Sequence, residues 1–302
     1  MDVLRTPEDR FADLDDFPYR SRTVTLEAGL RMAYVEDGPS DAPVVVLVHG
    51  EPTWGYLYRR VVPPLAAAGL RVVLPDLVGF GRSDKPTARE AYTFAGHVEW
   101  LREALFDRLG LTAVHYVGQD WGGLLGMRLL AEHPERFASV VMANTGLPTG
   151  DARMPEEWQQ FRTMVDEADH LDVGRMVDAG CLRELTERER AAYDAPFPGE
   201  EYCAGVRTFP NLVPNTPDDP AAPANRAAWE RLAGVEVPFR TAFSDGDPIT
   251  RGGDRWMQQR VAGAAGRTHP TVRGAGHFLQ EDRPEQLAEA VLEHVRSVLG
   301  GG

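Results

Sequence analysis

Short apolar runs alternate with longer segments of helical spacing in the first half of the chain. The apolar runs are rich in β-branched residues and predict buried strands at 43–47, 71–74, 114–117 and 138–142. The segments between them predict helices, among them 92–109 and 121–132. Strands that are apolar on both faces and alternate with helices indicate a parallel sheet covered on both sides.

This pattern changes after Asn144. Residues 147–225 are charged, proline-rich and helical in spacing, with no convincing strand, and 216–223 (TPDDPAAP) is typical of a linker. Strand signals return at 238–243 and 268–272, before a final helix at 284–299 that begins with Pro and an acidic residue. We therefore expect an α/β core made of residues 1–146 and 226–302, with a helical cap inserted at 147–225.

The third predicted strand runs directly into Gly118-Gln119-Asp120-Trp121-Gly122. This spacing of small residues is typical of a sharp turn from strand to helix, which holds its central side chain above the sheet. Asp120 occupies the central position. A carboxylate held there indicates a nucleophile that attacks carbon and becomes esterified to the substrate.

Two further polar side chains follow predicted strands, where sites form in an open parallel sheet. Asp247 comes after 238–243 and His277 after 268–272, so the chain order is nucleophile, acid, histidine, as in α/β-hydrolases. We expect His277 to take a proton from water and Asp247 to orient and stabilise its imidazole. Asp245 is a rival for the acid, but it fits better as a loop former, and the amide of Asn144 cannot act as an acid.

Hydrolysis of an Asp120 ester also requires donors for a developing oxyanion. The backbone N–H groups of Trp121 and Glu51 are the expected donors, from the turn and from the His49-Gly50-Glu51-Pro52 loop. His49 is expected to support that loop. The Glu51 carboxylate is a second candidate for positioning the hydrolytic water, although a carboxylate beside Asp120 would raise one of the two pKa values.

The composition of the chain limits the kinds of molecule that it is expected to bind. A net charge of −14 disfavours nucleic acid and anionic membranes, and a neutral small molecule is the easier substrate. The two cysteines, Cys181 and Cys203, form no metal-binding spacing, and we expect both to be free, as in a reducing cytoplasm. We predict no signal peptide, no membrane span, no metal and no cofactor; Gly79-x-Gly81 lacks the third glycine of a dinucleotide fingerprint.

Taken together, the motifs HGEPTW (49–54), QDWGG (119–123), DAPFP (194–198) and GHFLQED (276–282) resemble those of the haloalkane dehalogenases. The resemblance covers nearly the whole chain. It implies an α/β-hydrolase fold and cofactor-free hydrolysis of a haloalkane to an alcohol, halide and a proton. Glu51 in the loop and the acid at Asp247 resemble the subfamily that acts on short chloroalkanes.

The resemblance also implies two indole N–H donors for the departing halide. Trp121 follows the nucleophile directly, and Trp158 is the tryptophan within 147–225. An indole suits this task because it donates one hydrogen bond without a full positive charge that would trap the anion. We expect a monomer.

Two other functions stay open from the sequence. An epoxide hydrolase would use the same Asp nucleophile with two acidic O–H donors, for which Tyr193 and Tyr202 are candidates. A hydrolase-like protein could also bind a small molecule without turnover. A haloacid dehalogenase would need an arginine near the nucleophile, and Arg128 lies too far along the helix.

Overall fold

The computed structural model describes residues 2–300 and is built on a seven-stranded sheet. The strands are β1 (Arg22–Thr25), β2 (Arg31–Asp37), β3 (Val44–Val48), β4 (Arg71–Pro75), β5 (Val114–Gln119), β6 (Phe137–Ala143) and β7 (Phe239–Thr241). Their spatial order is β1-β2-β4-β3-β5-β6-β7. Further along the chain, β8 (Phe243–Ser244) pairs in parallel with β9 (Thr271–Val272) in a separate two-stranded sheet.

The predicted parallel sheet is confirmed from β4 to β7, because every neighbouring pair there runs in parallel. The first two strands are antiparallel additions, β1 to β2 and β2 to β4, which the sequence did not predict. Their polar and apolar residues alternate irregularly, and β1 is largely exposed. The central strands are apolar on both faces, since Val45, Val46, Leu47 and Val48 are fully buried.

Eleven α-helices occur in the part of the chain from residue 2 to residue 300. They are α1 (Val62–Ala67), α2 (Phe94–Arg102), α3 (Trp121–Glu132), α4 (Glu156–Glu167), α5 (Val173–Ala179), α6 (Glu187–Asp194), α7 (Ala204–Leu212), α8 (Ala222–Leu232), α9 (Gly253–Arg260), α10 (Leu279–Asp282) and α11 (Pro284–Leu299). The predicted helix over 92–109 is split, because α2 continues as a π-helical turn at Glu103–Arg108. The bounds of α3 and α11 are those predicted.

The predicted cap, residues 147–225, contains α4 to α7 and the first residues of α8, with no strand among them. Helix α8 packs against α3 of the core. The predicted boundary at residue 225 therefore falls inside a helix that belongs partly to the core. The predicted linker at 216–223 runs into the start of this helix. We keep the division into core and cap as a proposal and use the word cap for residues 147–225.

Within residues 2–300 no helix is long and apolar enough to cross a membrane. Cys181 and Cys203 are both free.

Candidate active site

Asp120 lies between the last residue of β5 and the first residue of α3, in a backbone conformation that few residues other than glycine adopt. Its φ is 51° and its ψ is −124°. The turn is possible only because its neighbours are small: a Cβ on Gly122 would lie 2.1 Å from the Val48 carbonyl oxygen, and one on Gly118 would lie 2.6 Å from the Gly122 carbonyl oxygen. The sheet therefore presents the Asp120 side chain above its edge, as the sequence predicts.

The structure brings Asp120, His277 and Asp247 together from three separate strand ends. His277 Nε2 lies 3.6 Å from Asp120 Oδ2, and His277 Nδ1 lies 3.0 Å from Asp247 Oδ2. One ring nitrogen thus faces the candidate nucleophile, and the other faces the candidate orienting acid. This is the geometry that a base supported by a carboxylate requires.

The negative charges of Asp120 and Asp247 determine how the His277 imidazole titrates. Burial opposes protonation of the imidazole, but Asp247 and Asp120 outweigh it and raise the pKa of His277 to about 10. Burial also opposes ionisation of Asp247, and here His277, Thr250 and the Ile249 N–H lower the pKa of Asp247 to about 2. A protonated His277 between two carboxylates is therefore the favoured resting state.

The rival acid lies elsewhere. Asp245 Oδ1 accepts a hydrogen bond from the Gly274 N–H at 2.7 Å and so stabilises its own loop. Asp247 is bonded instead by the Ile249 N–H, at 2.9 Å, and by the Thr250 hydroxyl in addition to His277.

Glu51 contributes its backbone to the nucleophile. The Glu51 N–H donates to Asp120 Oδ1 at 2.7 Å. Gly50 allows this close approach, because a Cβ there would lie 2.2 Å from the same oxygen. The N–H of Trp121 opens α3, where the first N–H groups have no partner within the helix. Both amides predicted as oxyanion donors thus adjoin Asp120.

The Glu51 side chain is buried, and its Oε1 has no hydrogen-bond partner within residues 2–300. Burial, together with the charges of Asp120 and Asp166, raises the pKa of Glu51 well above its usual range. The protonated form of this side chain is therefore favoured more than in an exposed glutamate.

His49 supports the loop, as expected. Its Nε2 accepts a hydrogen bond from the Leu77 N–H at 2.9 Å, which leaves Nδ1 to donate to the Gly50 carbonyl at 3.0 Å. Burial lowers the pKa of His49 and keeps it neutral. It therefore fixes the backbone from which Glu51 reaches Asp120.

A cavity of about 360 Å³ lies above Asp120 and is lined by Glu51, Trp121, Trp158 and His277 among mostly apolar side chains. Other tryptophans are anchored to backbone: the Trp54 N–H donates to Ala192 O at 3.0 Å and the Trp229 N–H to Leu147 O at 2.8 Å. In the described part of the chain, the indole N–H groups of Trp121 and Trp158 donate to no protein acceptor. The cavity therefore has two lining indoles whose donors are free for a ligand.

Two polar neighbours of the candidate triad were not predicted. Gln119 Nε2 donates to the His277 carbonyl at 3.3 Å and lies 3.2 Å from His277 Nε2. Asn144 Nδ2 donates to the carbonyls of Gly276 and His277, each at 2.9 Å. Their places in the sequence could have indicated these contacts. Gln119 directly precedes the nucleophile, and Asn144 directly follows β6, so both lie at the edge of the sheet where the site forms.

Comparison with known proteins shows the fold and the family. Residues 43–180 match the family model for the alpha/beta hydrolase fold. A haloalkane dehalogenase from Psychrobacter cryohalolentis is 47% identical over 299 residues, which cover 98% of each chain. Haloalkane dehalogenase 1 from Mycobacterium bovis is 49% identical over 296 residues, 97% of this chain and 98% of the relative.

A solved structure extends the agreement to three dimensions. The haloalkane dehalogenase from Paraglaciecola agarilytica NO2, described as tetrameric, is 35% identical and superposes with a TM-score of 0.88. The match covers 97% of this chain and 98% of that chain. The fold, with its sharp strand-to-helix turn at Asp120, defines an α/β-hydrolase. Within that class, the chain belongs to the haloalkane dehalogenase family.

Proposed function

We propose that this enzyme hydrolyses the carbon–halogen bond of small neutral haloalkanes by a covalent route. An Asp120 oxygen attacks the carbon, and the halide leaves with the bonding electron pair, so that an alkyl ester of Asp120 forms. Water then attacks the carboxyl carbon of this ester while His277 takes one of its protons. The bond from that carbon to the alkyl oxygen breaks, and the alcohol leaves with the second proton, which restores the Asp120 carboxylate. The net reaction consumes one water and releases alcohol, halide and a proton.

The observation that carries the proposal is the placement of the Asp120 carboxylate in a mostly apolar cavity with His277 Nε2 at 3.6 Å. Esterification removes the negative charge of Asp120, which is one of the two charges that hold the His277 pKa high. The pKa of His277 then falls, and its proton leaves. The neutral base is thereby generated when the second step needs it.

Trp121 and Trp158 serve in this account as donors to the departing halide. Both residues line the cavity, Trp121 from the start of α3 and Trp158 from α4, and their indole N–H groups are free for a ligand. The backbone N–H groups of Glu51 and Trp121 would stabilise the oxyanion of the second step. The Glu51 N–H already bonds Asp120 Oδ1. The Glu51 side chain also lines the cavity and is the candidate for positioning the attacking water.

The epoxide alternative loses its proposed donors. Tyr193 is buried and donates to Glu281, and neither it nor Tyr202 is among the residues that line the cavity. Arg128, the arginine considered for a haloacid, is bonded to Glu132. Arg251 lines the cavity from an exposed position.

Assembly and location remain predictions. We propose that the protein is a cytoplasmic monomer, and size-exclusion chromatography with light scattering tests the first part. A mass of two or four chains would contradict it, and the tetrameric Paraglaciecola relative makes that outcome worth testing.

The covalent route is tested by trapping the ester. A His277→Phe variant is exposed to 1,2-dibromoethane, and the peptide that contains Asp120 is analysed by mass spectrometry. We expect a bromoethyl adduct on Asp120, because attack proceeds while hydrolysis is blocked. The matched control, Asp120→Asn combined with His277→Phe, should carry none. Folded His277→Phe protein without an adduct would contradict the proposal.

A further inference from the structure

The backbone of His277 is bonded to the cap. The His277 N–H donates to the carbonyl of Gly180 at 2.8 Å. That carbonyl approaches so closely that a Cβ on Gly276 would lie 2.5 Å from it. The segment between α5 and α6 therefore contacts the histidine loop directly, and the site's histidine is not held by the core alone.

The buried carboxylate of Asp282, at the end of α10, joins the same two segments. On the core side, Asp282 Oδ2 accepts from the Gly276 N–H at 2.8 Å. On the cap side, it accepts from the Leu182 N–H at 2.9 Å through Oδ2, and from the Arg183 N–H at 2.8 Å through Oδ1. Three backbone donors from two segments thus share one anion, and such charge-assisted bonds are stronger than neutral ones.

The preceding residue strengthens this link. The Arg183 guanidinium donates to the Glu281 carboxylate and, through Nε, to the Glu281 carbonyl at 2.8 Å. Arg59 of the core pairs with the same carboxylate. Helix α10, which begins two residues after His277, is consequently fixed to cap residues 182 and 183 as well as to the core.

We propose that Asp282 is a positioning residue that fixes His277 through the cap, so that ester hydrolysis depends on this link and nucleophilic attack does not. Attack depends on Asp120, which its own turn holds in place, and on the halide donors Trp121 and Trp158, and Asp282 bonds to none of these residues. Hydrolysis requires His277 Nε2 beside the ester, and the Gly276 N–H bond sets the backbone from which it projects. This inference rests on the proposed function, because it assigns Asp282 to the second of its two steps.

The test compares Asp282→Asn with the wild-type enzyme in single-turnover rapid-quench experiments with 1,2-dibromoethane. An amide has one acceptor oxygen, so its NH₂ group would face one of the three backbone donors. We expect ester formation to keep its rate and ester hydrolysis to slow about tenfold, as the loss of one charge-assisted hydrogen bond implies. The alkyl-enzyme should accumulate.

Asp178→Asn is the matched control. Asp178 also accepts from a backbone N–H, that of Leu185 at 2.7 Å, but this bond lies within the cap and does not reach the histidine loop. We expect both rates to stay unchanged in that variant. If Asp282→Asn slows both steps equally, or neither, the inference is wrong. If the wild-type enzyme forms no ester, the proposed function itself fails, so the two failures are distinct.

A second pair of variants decides the matter should Asp282→Asn not fold. Leu182→Pro deletes one donor to the carboxylate and leaves Asp282 in place, whereas Leu182→Ala keeps that donor. The Leu182 side chain is largely exposed, so its removal should be tolerated. We expect slower ester hydrolysis in Leu182→Pro alone. Equal hydrolysis rates in the two variants would overturn the inference.

Discussion

Replacing Asp120 by Asn should convert His277 from a resting cation into a group that titrates near neutrality. The amide resembles the esterified side chain, because both are neutral and similar in shape. The substitution removes a negative charge 3.6 Å from His277 Nε2, while the burial that disfavours the imidazolium remains. Since the lost charge favours the protonated form, the pKa of His277 must fall.

The magnitude follows from the distance. Two unit charges 3.6 Å apart interact by about 4 to 5 kcal/mol at an effective dielectric constant of about 20. At 1.36 kcal/mol for each pH unit, this corresponds to a decrease of about 3 pH units. The pKa of His277, raised to about 10 in the resting enzyme, should therefore approach 7 in the variant.

The assay is an NMR titration of ¹⁵N-labelled histidine side chains, with His277 assigned by its absence in His277→Phe. Asp245→Asn is the control, because it removes an equal charge from a carboxylate bonded to a loop N–H and not to the imidazole. We expect that control to leave the His277 titration almost unchanged. A His277 that still titrates near 10 in Asp120→Asn would refute the idea that esterification generates the base.

Four further substitutions test the cavity and its walls. Trp121→Phe and Trp158→Phe should each weaken bromide binding by about 1.5–3 kcal/mol, the value of one charge-assisted hydrogen bond, and unchanged affinity in a fluorescence titration would argue against that residue as a donor. Gly50→Ala should abolish the release of halide in the first turnover, because the added Cβ would lie 2.2 Å from Asp120 Oδ1. Release of one halide per folded enzyme molecule in the first turnover would contradict the assigned geometry. Glu51→Gln should raise the free energy of unfolding at neutral pH and have little effect on it at about pH 4. The pKa of Glu51 is higher in the folded than in the unfolded protein, so folding takes up a proton above about pH 4, and the stability of the wild-type protein falls as pH rises. Glutamine does not titrate and avoids this loss. Equal changes in the free energy of unfolding at both pH values, from denaturant titrations, would count against a raised pKa of Glu51.

Part of the fold follows from patterns that are strong over a short range. Helix α3 was predicted to its end residues because the Gly-rich turn marks its start, and α11 because proline marks its first position. The strands β3 to β6 were predicted because both of their faces are buried. Helix α7 was not predicted as a separate element, since Pro210 lies inside it and proline usually marks the end of a helix.

The meeting of Asp120, Asp247 and His277 was predictable because strand ends share one edge of a parallel sheet. The contact between the histidine loop and residues 180–183 was not. It depends on where the cap settles on the core, and no local pattern encodes this. Asp282 illustrates the difference: its residue type was visible in a matching motif, whereas its three backbone partners appear only once two distant segments are packed together.

The most direct test of the covalent account is a single turnover in water enriched in ¹⁸O, followed by mass spectrometry of the Asp120 peptide and of the alcohol. If water attacks the Asp120 ester, the label enters the Asp120 carboxylate and the first alcohol carries unlabelled oxygen. If water instead attacks the substrate carbon directly, the label appears in the alcohol and Asp120 stays unlabelled, which would contradict the central claim.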